Sequence, residues 1–158
     1  MSEGFEVSFN SPQCGWMSIG FSGSEGEFHT TTAHVPHEHA LPELLQILTQ
    51  LLDENSLNSE FIMHWNRNPE EFDFRFARNG GNVLIEIFQY PTDERFAASR
   101  EKVFAHEGGV GEVCQAFYDT FAQLETDKNT DEFEQNWRQP FPLVDFEKFE
   151  NKLRFYGK

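Results

Sequence analysis

Four histidines crowd the stretch from His29 to His39, and His34, His37 and His39 follow an H-x-x-H-x-H spacing. Imidazole nitrogens grouped this way suit zinc or another transition ion, with Glu38 or Glu43 as a carboxylate ligand. The plainer reading is a polar strand-to-helix loop whose imidazoles face water, since no cysteine stands nearby. A second candidate is Gly108-Gly-Val-Gly111 at the start of a helix, where exposed N–H groups can hold an anion. It meets neither the dinucleotide fingerprint nor the P-loop pattern, and Glu107 and Glu112 oppose a phosphate, so a turn is the better account. Paired acids such as Glu70-Glu71, Asp93-Glu94 and Asp131-Glu132 offer carboxyls for acid–base work. Such chemistry needs two carboxyls facing each other across a cleft, and sequence neighbours point apart. No Gly-x-Ser-x-Gly and no Cys-His spacing is present. The chain reads as non-enzymatic, with no cofactor.

A surface is the fourth candidate. The stretch from Glu125 to Glu150 combines eight acids with Phe133, Trp137, Phe141, Phe146 and Phe149. Aromatic anchors ringed by charge are the material of protein interfaces, and Glu132, Glu134 and Trp137 are the contact candidates. The same pattern also describes two amphipathic helices docked on their own core.

The totals narrow the class of partner. Twelve Lys and Arg stand against 27 Asp and Glu, a formal net charge of −15 over 158 residues. Such a surface repels nucleic acid and anionic membranes, while a basic protein is an electrostatically suitable partner. Two cysteines, Cys14 and Cys114, make no disulfide framework, and Cys114 falls on an apolar helical stripe. No basic-plus-apolar leader opens the chain and no apolar run reaches spanning length. A cytoplasmic setting is expected, and a homodimer is an open alternative.

The elements that position these residues follow from periodicity. Phe72, Phe74 and Phe76 alternate with Asp73, Arg75 and Ala77, and Val83, Ile85 and Ile87 repeat the alternation beyond Asn79-Gly-Gly-Asn82. A hairpin turn on Asn79-Gly80 pairs Phe76 with Val83; one on Gly80-Gly81 pairs Phe76 with Ile85 and Phe74 with Ile87. Both registers put the same six side chains on one face. Further strands are expected at Phe5–Phe9, Trp16–Ser22, Glu27–Val35, Phe61–Asn66 and Glu101–His106. Leu41, Leu44, Leu45, Leu48, Leu51 and Leu52 outline one long helix. Val110, Val113, Cys114, Phe117, Phe121 and Leu124 outline another. Pro140 and Pro142 separate two short helices near the C-terminus. The expected fold is α+β: one antiparallel sheet of about six strands, two long helices on one face, and a helical arm. Residues 1–126 would form the body of a single domain and 127–158 the arm, packed on that body because its aromatics need cover.

Trp137-Arg-Gln-Pro-Phe-Pro142, Gly15-Trp16 opening a strand, the Leu-rich helix at 41–52 and Trp65 before the Phe-rich hairpin resemble a group of small bacterial proteins of unassigned function. The resemblance implies a compact bacterial α+β domain and transfers no catalytic residue. In size and acidity the chain is also similar to immunity proteins that neutralise basic toxins. Its most concrete functional expectation is an immunity- or antitoxin-like inhibitor.

Overall fold

Among the described residues, seven strands and four α-helices form in the order β1 (Glu6–Phe9), β2 (Trp16–Gly23), β3 (Gly26–Ala33), α1 (Ala40–Leu51), β4 (Glu60–Arg67), β5 (Glu70–Asn79), β6 (Asn82–Tyr90), β7 (Glu101–Gly109), α2 (Val110–Asp127), α3 (Phe133–Trp137) and α4 (Leu143–Phe155). The computed structural model describes residues 5–11, 16–23, 26–33, 40–53, 59–67, 70–91, 97–137 and 140–156. The class is α+β, but the strands divide into two antiparallel sheets, β1-β2-β3 and β4-β5-β6-β7. The single sheet of about six strands expected from the sequence is therefore corrected. Alternation identifies a strand and its buried face, yet it does not say whether that face is covered by a helix or another sheet. Here part of the cover is aromatic. Phe21 of β2 meets Phe74 of β5 edge-on at 5.6 Å, and Phe28 of β3 meets Phe72 at 5.3 Å.

The β5–β6 hairpin takes the register that pairs Phe74 with Ile87 and Phe76 with Ile85. Of the two turn residues only Gly80 adopts a positive φ, +64°. That is the requirement of a II′ turn on Gly80-Gly81, whose twist matches the strands it joins. The three Phe and the three aliphatic residues are all buried. The Phe row is shared between layers: the three-stranded sheet covers Phe72 and Phe74, while Phe117 of α2 reaches Phe76, Phe21 and Phe5. Each fully buried Phe contributes about 1.5–3 kcal/mol. Phe117→Ala is the single change that opens all of these contacts together, at a cost of about 3–5 kcal/mol.

The helices form where the stripes require. In α1 the Leu face is buried and Pro42 sits in the first turn, where its missing N–H costs nothing. Arg78 of β5 closes the other end, donating from Nη1 to the carbonyls of Leu51 and Asp53. A cation there also complements the helix dipole. The α2 stripe, Cys114 included, is buried as expected. It lies against β1 and its N-terminus is tied to the hairpin by Val110 N–H donating to Gly81 O. The C-terminal arm packs on both long helices. Phe146 and Phe149 are buried, Tyr118 stacks on Phe146 at 5.6 Å, and the Tyr118 hydroxyl donates to Glu150 at 2.7 Å. Among the described residues no helix is long and apolar enough to cross a membrane.

Candidate functional site

The solvent-facing side of the three-stranded sheet is concave. Strand pairing sets its side chains in rows: Glu6–Ser22–Glu27, then Ser8–Gly20–His29. Asn10 continues the pattern, donating its N–H to Ser18 O at 3.0 Å. The central strand contributes only Ser18, Gly20 and Ser22, so a furrow runs down β2 between larger residues on either side. At about 3.3–3.4 Å per residue, Ser18 to Ser22 spans about 13 Å, and the outer strands stand about 9.5 Å apart across it. The cavity holds about 860 Å³, and Ala116 and Asp119 of α2 add to its wall. The imidazole of His29 lies over Gly20 at its floor, where a Cβ would come within 2.8 Å of Nδ1 and push the ring aside. His29 itself is exposed, with Nε2 3.3 Å from Glu27 Oε1.

Charge in this furrow has one sign. Glu6, Glu27 and Asp119 line it, and among the described residues no Lys or Arg does. The cause lies in the chain: the first 66 residues contain nine acids and no Lys or Arg, and Val110–Asp127 contains no Lys or Arg either. This asymmetry is plain in the sequence and is the signal that could have found the site. What reading along the chain could not give is the row Glu6–Ser22–Glu27, which exists only through pairing across three strands.

The acidic surface anticipated near the C-terminus joins the furrow at one end. Asn10 lines the furrow, and next to it the Ser11 hydroxyl donates to Asp131 Oδ2 at 2.7 Å. Asp131 lies in the turn between α2 and α3, followed by Glu132 and Glu134, both exposed. Glu132 adopts φ +53°, the left-handed conformation that commonly ends a helix and usually belongs to Gly or Asn. Phe133 N–H donates to Lys128 O at 2.8 Å, closing that end. The two glutamates border a recess of about 340 Å³ with Lys128, Phe133 and Phe141. Trp137, expected to share this surface, is instead 1 % exposed. It faces inward because α3 is too short to bury Phe133 without also burying the residue one turn on. The surface therefore belongs to the carboxylates.

The other candidates separate. His34, His37 and His39 lie outside the described residues. Gly108 and Gly109 belong to the end of β7 rather than a loop, and a Cβ on Gly108 would come within 2.5 Å of Glu112 Oε1. A carboxylate of the chain's own thus stands where an anion would approach. On the four-stranded sheet, sequence reasoning missed one constellation. His64 Nδ1 lies 2.7 Å from Asp73 Oδ1, and Tyr90 donates its hydroxyl to Asp73 Oδ2 at 3.0 Å. The three come from neighbouring strands and orient an imidazole on an open face; none of them lines the furrow. Nearby, Arg75 bridges Glu60 and Glu86, and the Glu60 hydrogen bond foremost raises the guanidinium pKa further. Among the described residues no group of three His, Cys, Asp or Glu side chains has metal-binding geometry.

The chain matches no protein-family model, and comparison with curated proteins and with solved structures finds no match.

Proposed function

We propose that this chain is a non-enzymatic binding domain that recognises a basic region of another protein. An immunity- or antitoxin-like inhibitor is its most concrete form. The observation that carries the reading is the separation of charge along the chain. Its first 66 residues and α2 hold no Lys or Arg, so the charged residues of the concave sheet face are carboxylates, and at the adjoining turn Lys128 is paired with Glu125 at 3.0 Å. A surface of one sign steers an oppositely charged partner and accelerates encounter. Glu132 and Glu134 are the contact carboxylates at the turn, while Trp137 supports them from inside. A reducing cytoplasmic setting accords with the buried free thiol of Cys114.

The test is capture of partners by tagged protein from its source lysate at low and high salt, with retained proteins identified by mass spectrometry. A basic protein retained at low salt and released at high salt, and lost with Glu132→Lys/Glu134→Lys, supports the reading. Capture indifferent to salt and to charge reversal overturns it.

A further inference from the structure

We infer that the furrow along β2 seats an arginine or lysine side chain from an extended basic segment of the partner. This rests on the binding reading above and assigns it a pocket. The row Glu6–Ser22–Glu27 places a carboxylate-bearing residue on each side of a small one. A cationic head above Ser22 therefore meets acids from both flanking strands, and Asp119 stands on the α2 wall. A charge held between two carboxylates makes charge-assisted hydrogen bonds on both sides.

The remaining length of the furrow suits the stem. Ser18 and Ser22 keep the floor low and the His29 ring covers Gly20 between them, and long cationic side chains lay their methylenes along such surfaces while the head stays with its counter-charges. A side chain at Gly20 would collide with His29, displacing the ring that covers the middle of the floor.

Charge complementarity selects the occupant. An acidic or neutral segment would desolvate the carboxylates with nothing in return, and a nucleic acid would be repelled. A second copy of this chain could offer a cation only from beyond residue 66, and its own surface charge opposes the approach.

The probe is a fluorescein-labelled peptide of alternating Arg and Ser, with an alternating Glu and Ser peptide as control, followed by anisotropy. Glu6→Gln/Glu27→Gln and Glu132→Gln/Glu134→Gln remove the same charge from exposed positions, so the two pairs separate the furrow from the general field. The expected result is Arg-peptide binding that the furrow pair weakens by about 10-fold or more and the turn pair by less than about 3-fold. Ser22→Lys, which supplies its own ammonium between the two glutamates, abolishes binding in a chain that melts at the parent's temperature. Equal losses from both pairs, equal binding of the Glu peptide, or no loss with Ser22→Lys overturns the furrow. If a basic partner is still captured and depends on Glu132 and Glu134 but not on Glu6 and Glu27, the furrow fails while the broader reading stands. If neither the peptide nor a salt-sensitive basic partner binds, both fail.

Discussion

The backbone N–H of Phe9 donates to the hydroxyl of Thr120 at 2.8 Å, and both residues are buried. This bond joins β1, the outermost strand of its sheet, to the helix beside it. It supplies an acceptor to the outer edge of the strand, where exposed N–H groups invite association with other chains. It also holds the α2 wall, with Asp119, next to the strand that carries Glu6.

Thr120→Val keeps the shape and removes the acceptor. The expected cost is about 1–3 kcal/mol, the penalty for taking a buried donor's partner away. Thr120→Ser retains the hydroxyl and should cost less. Urea denaturation of the two variants measures the difference, and faster amide exchange confined to β1 in the Val variant locates it. Equal stabilities would remove the hydrogen bond from the account.

Glu132 occupies a left-handed conformation with φ +53°, which costs a residue with a Cβ about 1–2 kcal/mol. Glu132→Gly relieves that strain at an entropic cost of about 0.5–1 kcal/mol. A net gain of about 0.5–1 kcal/mol is expected in chemical denaturation. The same variant should capture less partner, so stability and binding move in opposite directions. A gain in both would show that the Glu132 carboxylate makes no contact.

Trp137 supports the turn from within, and its truncation separates scaffold from contact. Trp137→Ala should cost about 3–5 kcal/mol. Trp137→Phe, which keeps most of the volume, should retain partner capture under conditions where it stays folded. Loss of capture by a folded Trp137→Phe protein, measured beside its melting temperature, would return Trp137 to the interface.

Burial pushes the Cys114 thiol up to about 12 from an ordinary value near 9. The folded chain therefore holds the neutral thiol while the unfolded chain ionises above about pH 9. The sign follows from proton uptake: the raised folded pKa contributes fully below pH 9, and that contribution falls as pH climbs from 9 toward 12. Relative to Cys114→Ala, the parent should lose about 1.4 kcal/mol per pH unit in that window. Urea denaturation of both proteins across the window, in a Cys14→Ser background, tests it. In the same background, disulfide-exchange labelling at pH 8 should be slow until denaturant is added.

The elements themselves were legible because periodicity is a local property. Phe72, Phe74 and Phe76 against Asp73, Arg75 and Ala77 announced a strand and its buried face, and the Leu stripe of α1 and the Val110–Leu124 stripe announced helices. The hairpin was narrowed to two registers, and the backbone at Gly80 chose between them. Trp137 misled because four-residue spacing with Phe133 marks a helical face without saying whether that face looks outward or into a core. His64, Asp73 and Tyr90 left no trace along the chain, since their meeting depends on which strands become neighbours.

By itself, then, the sequence determined the kind of each main element, the side of it that is apolar, and a charge distribution with every Lys and Arg beyond residue 66. These follow from side-chain type and spacing, which persist whatever the topology. Tertiary structure alone decided that the described strands form two sheets, that Phe21 packs on Phe74 across the layers, and that Glu6 and Glu27 flank Ser22. Each of these is a choice among distant partners. The free energy settling it lies in stacking one apolar face on another, which no local pattern encodes.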